Sequence, residues 1–139
     1  PGTGDAQLTL SQSVILAGAV IVTTPQAVAL EDVVRGGEMF LKVGVPILGV
    51  VENMGSFKCD CGHEASIFGE GGGKTMADHF RVPLLGSIGL DPEIRKSGDK
   101  GQPIVTTSYA VKATIATAAE QLVERVEATD VSGPQINIA

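Results

Sequence analysis

Three short runs of apolar, β-branched-rich residues punctuate the chain. They are Gly18–Thr24, closed by Pro25; Val45–Val51, closed by Glu52-Asn53; and Val82–Ile88. Each is almost continuously hydrophobic and bounded by Gly or Pro, as expected of strands covered on both faces. Between the first two, Leu30, Val33, Val34, Gly37 and Leu41 recur at helical spacing and form one face of a helix. Val111, Ile115, Ala118, Leu122 and Val126 repeat that pattern near the end, with Glu120, Glu124 and Arg125 among the polar positions. A further helix is predicted over about 6–15, a short one over 74–80, and one opening at Asp91-Pro92, where an N-cap precedes proline at the first helical position. This strand–helix alternation predicts an α/β fold: a parallel sheet with helices on both faces, joined by right-handed crossovers. Residues 1–128 read as one domain portion and 129–139 as a loose tail.

Composition narrows the picture. The chain has 139 residues, 43% of them hydrophobic, enough to bury a core. Trp is absent and aromatics make up 4%, so the core is built from Val, Ile, Leu and Ala, which suits a buried parallel sheet. Ten Lys and Arg oppose sixteen Asp and Glu, for a net charge of −6. Nucleic acid is therefore not an expected partner, because duplex binding rests on many basic contacts to phosphate. The longest apolar run, Val14–Val22, has nine residues, about half of what spans a bilayer. No membrane partner is expected, and no signal-like segment opens the chain.

In α/β sheets ligands gather beyond the carboxyl ends of the strands. Those ends are Thr23-Thr24, Glu52-Asn53 and Gly89-Leu90-Asp91. The opening Pro1-Gly2-Thr3-Gly4-Asp5 carries glycines, a hydroxyl and a carboxylate just before a helix. That composition suits either an anion-approaching turn or a plain strand-to-helix turn capped by Asp5. Asn53 offers an amide donor and acceptor to a nucleobase, or closes a turn. Cys59-Asp60-Cys61-Gly62-His63 holds the only two cysteines of the chain. Two thiolates this close can share one soft metal or one cluster edge, but cannot complete a tetrahedral site. Completion needs His63, a second chain, or both. A disulfide across one intervening residue is expected to be strained. Gly69–Thr75 imitates a phosphate-binding loop, yet the G-x-x-x-x-G-K-S/T spacing requires glycine where Phe68 stands. It reads as a flexible turn entering a short helix.

Taken together, residues 1–10 (Pro-Gly-Thr-Gly-Asp-Ala-Gln-Leu-Thr-Leu), 20–26 (Val-Ile-Val-Thr-Thr-Pro-Gln), 49–54 (Gly-Val-Val-Glu-Asn-Met), the cysteine loop ending Gly-His-Glu at 62–64, Ile-Phe-Gly at 67–69 and Leu-Asp-Pro-Glu-Ile-Arg at 90–95 resemble the carboxy-terminal part of the Mrp/ApbC-type iron–sulfur cluster carriers, MinD-like deviant P-loop ATPases. The resemblance implies a partial P-loop NTPase fold of the SIMIBI type in a cytoplasmic homodimer. It implies ATP with Mg²⁺ and a labile [4Fe–4S] cluster held between subunits and passed to apo iron–sulfur recipient proteins. Cys59 and Cys61 then match the bridging metal ligands. Gly2 matches the glycine facing the γ-phosphate, and Asp5 the catalytic acidic residue near the attacking water. Asn53 matches the base-contacting asparagine, and Leu90 and Asp91 the segment closing over the base.

Three departures from the family pattern stand out. The spacing is Cys-x-Cys rather than Cys-x-x-Cys. Gly89 replaces the usual proline, which is expected to loosen the base-closing segment. The phosphate-binding loop with its lysine and the Mg²⁺-side aspartate do not occur in this sequence. Catalysis in P-loop enzymes is positioning and charge stabilisation by those groups. The 139-residue chain alone is therefore expected to release phosphate from ATP at the background rate and to bind nucleotide weakly; turnover at an intact homologue's rate would overturn this. Two other readings remain at this point: a zinc-bridged dimerisation module, with zinc also a candidate occupant in air, and an inactive α/β fragment without metal.

Overall fold

The computed structural model describes residues 5–106 and 109–129. Gly2, and all of the expected tail beyond Thr129, lie outside them. The elements follow as helix α1 (Asp5–Ser13), strand β1 (Ala19–Thr23), α2 (Ala27–Lys42), β2 (Ile47–Asn53), β3 (Phe57–Lys58), β4 (Glu64–Ala65), α3 (Gly72–Phe80), β5 (Leu84–Ile88), α4 (Pro92–Asp99), a short 3-10 turn (Ile104–Thr106) and α5 (Tyr109–Glu127). The three apolar runs become a parallel sheet in the order β1-β2-β5. β3 and β4 form a separate antiparallel hairpin, with Phe57 opposite Ala65 and Lys58 opposite Glu64. Hydrophobic patterning did not predict this hairpin, because each of its strands is two residues long and carries no period to read.

The core sits on one face of the sheet. Ile21, Ile47 and Val50 pack with Met76 and Ala77 of α3, while Leu30, Val33, Val34 and Phe40 of α2 close around them. Val50, in the central strand, is wholly buried. The next residue, Val51, points the other way and aligns with Gly86 of β5. A Cβ on Gly86 would meet Thr114 and Ala118 of α5. Helices thus cover both faces, as the alternation predicted.

Register brings Thr23, Glu52 and Ser87 into line across the sheet. Consecutive carboxyl ends therefore converge on a single rim, and α4 leaves that rim directly. Among the described residues β1 is an edge strand. Its Ile21 and Thr23 are buried while Val22 is 62% exposed. An apolar edge strand with unpaired backbone groups invites pairing with another chain. We expect self-association of the reduced chain in sedimentation velocity and a shift towards monomer on Val22→Lys. Association unchanged by that substitution would transfer the contact to the cysteine loop.

Candidate functional site

The rim is built around Glu52. This carboxylate is buried at the end of β2, with only 7% of its surface exposed. Its Oε2 accepts the Gly73 backbone N–H at 2.7 Å and its Oε1 accepts the Ser87 hydroxyl at 2.9 Å. Gly73 belongs to the first turn of α3, so a carboxylate supplied by the neighbouring strand occupies that helix's N-terminal anion position. The glycines here serve close packing: a Cβ would lie 2.6 Å from Pro25 Cα at Gly72, and 2.6 Å from Glu52 Cβ at Gly73. The Gly69–Thr75 stretch is accordingly a packing turn rather than a phosphate loop. Lys74 is exposed and pairs with Asp78 one helical turn on. Exposed pairs of this kind contribute little, so Lys74→Ala should change stability by less than about 0.5 kcal/mol in urea denaturation and leave nucleotide binding unchanged in calorimetry.

Beyond Glu52 the chain turns sharply. Asn53 Oδ1 accepts the Met54 N–H at 2.9 Å, and Met54 takes a left-handed conformation at φ 58°. The asparagine thus holds the turn with its side-chain oxygen. Gly55 N–H then donates to the Ile88 carbonyl at 3.1 Å, and Leu90 N–H donates to the Ser56 carbonyl at 2.6 Å. Asp91 caps α4 by accepting the Glu93 N–H at 2.8 Å. Sequence reading expected Gly89 to loosen this segment. Backbone hydrogen bonds hold it on either side of Gly89, at Ile88 and at Leu90. A Cβ at Gly89 would stand 3.0 Å from the Ser56 carbonyl oxygen, close enough that one of the two must give by a few tenths of an ångström.

The β3–β4 hairpin carries the cysteines at its tip. Cys59 N–H donates to the His63 carbonyl and Gly62 N–H to the Cys59 carbonyl, both at 2.9 Å. Gly62 supplies the positive φ of 84° that this tight turn needs. The Cys61 N–H points at Cys59 Sγ at 3.3 Å. Cys59 is half-buried and Cys61 exposed. The two sulfurs are joined in a disulfide, against the sequence expectation. The reason is the turn, which folds the two Cα atoms to 5.3 Å, within the usual range for the bond. Metal binding requires thiolates, so this pair holds metal only after reduction.

A cavity of about 770 Å³ lies between the hairpin and the start of α4. Cys59, Leu90 and Asp91 all line it, together with Ser56 and Lys58. Lys96, also on its wall, donates to Glu93 at 2.6 Å. That hydrogen bond and the charge behind it hold the exposed Glu93 carboxyl below its usual range. Asn53 is three residues from the cavity wall along the chain. Asp5 does not line it and stands exposed in the first turn of α1. Gly2 is outside the described residues. No group of three or more His, Cys, Asp or Glu capable of holding a metal occurs among the described residues, and His63 does not complete one. Nor is any helix among them long and apolar enough to cross a membrane. Sequence reading missed Glu52 and Ser56. The signal for Glu52 was a carboxylate closing an apolar strand; for Ser56 there was none.

A parallel sheet with helices on both faces places the chain in the α/β class of folds. A nucleotide-binding protein of Archaeoglobus fulgidus in complex with ADP superposes with a TM-score of 0.60 at 37% identity, over 73% of this chain and 42% of that one. The cell-division ATPase MinD of Pyrococcus furiosus superposes with a TM-score of 0.56 at 28% identity, over 81% and 43%. The chain belongs to the family of NUBPL iron-transfer P-loop NTPases, which matches residues 1–127. An iron–sulfur cluster carrier protein of Pseudomonas fragi is 56% identical over 104 residues, covering 74% of this chain and 36% of the relative. The iron–sulfur cluster transfer protein NUBPL of Mus musculus is 49% identical over 106 residues, covering 76% and 33%. The chain spans about a third of the length of these curated relatives.

Proposed function

We propose that this chain is the cargo-holding part of an iron–sulfur cluster carrier, in which Cys59 and Cys61 of two copies grip one [4Fe–4S] cluster for delivery to apo recipient proteins. The observation that carries this reading is the hairpin tip. It presents both cysteine sulfurs of the chain from one tight turn, with Cys61 open to solvent, and the described residues of one chain form no cluster of three or more ligands that would complete a site. Two copies related by symmetry supply four thiolates, the usual complement for such a cluster. Loading begins with reduction by an external dithiol: it gives two electrons and two protons and closes to its own disulfide, and the Cys59–Cys61 bond opens to two thiols, which lose their protons on binding. Such a reading sets the protein in a reducing, cytoplasm-like compartment.

The same reading assigns the amide of Asn53 and the Leu90–Asp91 segment to the base of ATP. Asp5 is placed near the attacking water and Gly2 at the γ-phosphate in an intact site holding Mg²⁺. Residues 1–128 then form part of that ATPase domain.

The test is anaerobic reduction with a dithiol followed by reconstitution with iron and sulfide. We expect a broad absorbance at about 400 nm, characteristic of thiolate-bound cluster, with iron and sulfide at a ratio of one cluster per two chains, followed by transfer to an apo ferredoxin. A colourless product that binds zinc alone would replace this reading with a structural zinc bridge; no metal of either kind would leave an inert α/β unit.

A further inference from the structure

We propose that Ser56 is a positioning residue that ties the Leu90–Asp91 segment to the cysteine hairpin, so that a shift in one changes the exposure of Cys59 in the other. Ser56 lies between β2 and β3 and bonds in both directions. Its carbonyl accepts the Leu90 N–H at 2.6 Å. Its hydroxyl donates to Glu64 Oε1 at 2.7 Å, on the far strand of the hairpin, where Glu64 pairs with Lys58. Among the hydrogen bonds of the described residues, Ser56 alone joins the segment and the hairpin. The path is contiguous: the α4 N-terminus is held by Asp91, Leu90 follows directly before it, Ser56 holds Leu90, and Glu64 anchors the strand leaving the cysteine turn. Gly89 lies against this path: a Cβ there would stand 3.0 Å from the Ser56 carbonyl, so one of the two would have to give by a few tenths of an ångström. The hairpin itself has two residues in each strand, too few to hold its own position, so an external tether governs where its tip stands. This link deepens the carrier reading and rests on it for its purpose: the segment assigned to the nucleotide base would report its state to the cysteines assigned to the cluster.

The test separates the link from the cargo. In the reduced, metal-free chain, the rate at which iodoacetamide modifies the half-buried Cys59 is read by mass spectrometry. Ser56→Ala cuts the tether at the hairpin and Gly89→Ala presses on it from the segment. Each should raise the rate about fivefold, and the double variant should be no faster than the faster single, because neighbours that act through one contact are not additive. Ser56→Thr, which keeps the hydroxyl, should return the rate to near that of the unaltered chain. The rates should not respond to low urea, as expected for local opening. Multiplying effects in the double variant, no response to Gly89→Ala, or a steep urea dependence marking global unfolding would each overturn the link. After reconstitution, iron release to a chelator should accelerate in the same variants. A chain that forms no cluster yet shows the alkylation pattern would sink the carrier reading and leave the tether standing.

Discussion

Replacing either cysteine with serine should bleach the reconstituted protein. In a symmetric pair of chains one substitution removes two of the four thiolates at once. A serine hydroxyl is hard and stays protonated near neutral pH, whereas iron–sulfur clusters are held by soft thiolates. Changes one shell further out at metal sites already cost about 10–100-fold in affinity, so loss of the ligands themselves should remove the absorbance at about 400 nm almost entirely. Cys59→Ser and Cys61→Ser should be equally colourless, and both should keep the fold, since the hairpin lies outside the buried core. Circular dichroism together with iron content per chain checks both halves of the expectation. A Cys61→Ser variant that still held cluster at the full level would show that the exposed sulfur is not a ligand.

The second large effect falls at Glu52. Substitution by leucine leaves the Gly73 N–H and the Ser87 hydroxyl without the acceptors they have at 2.7 and 2.9 Å. The Gly73 N–H is buried, and a buried donor left unmet costs about 1–3 kcal/mol, whereas Ser87 is exposed and its hydroxyl can turn to water; the α3 N-terminus also loses the negative charge that complements its dipole. The expected loss is about 2 kcal/mol, with Tm lowered by roughly 7 °C. Glu52→Gln keeps one acceptor oxygen and should lose less than half as much. Urea denaturation of the three proteins measures this directly. A leucine variant within about 0.5 kcal/mol of the parent would mean that α3 is held by its apolar contacts with Val50 and Ile21 alone.

The alternation of β-branched runs with helical periods determined the sheet, its parallel sense and the helices on both faces. Burial on both sides of a strand demands continuous apolar residues, and one-sided burial of a helix demands a stripe, so both leave a trace in the order of residues. The cysteine pair and the Asn53 and Leu90–Asp91 positions are candidates for a different reason: they match a family pattern spread over much of the chain. What the order of residues left undecided is where distant groups meet. The β3–β4 hairpin has too few residues to carry a period. The disulfide depends on a turn that only the left-handed Gly62 closes. That Gly89 lies against the Ser56 carbonyl, with little room for a Cβ, is likewise a matter of how two loops meet. Glu52 and Gly73 are 21 positions apart, and Glu52 and Ser87 are 35 apart. A hydrogen bond leaves no periodic signature in sequence, so only the packed tertiary structure decided that a buried carboxylate, rather than a phosphate, occupies the start of α3.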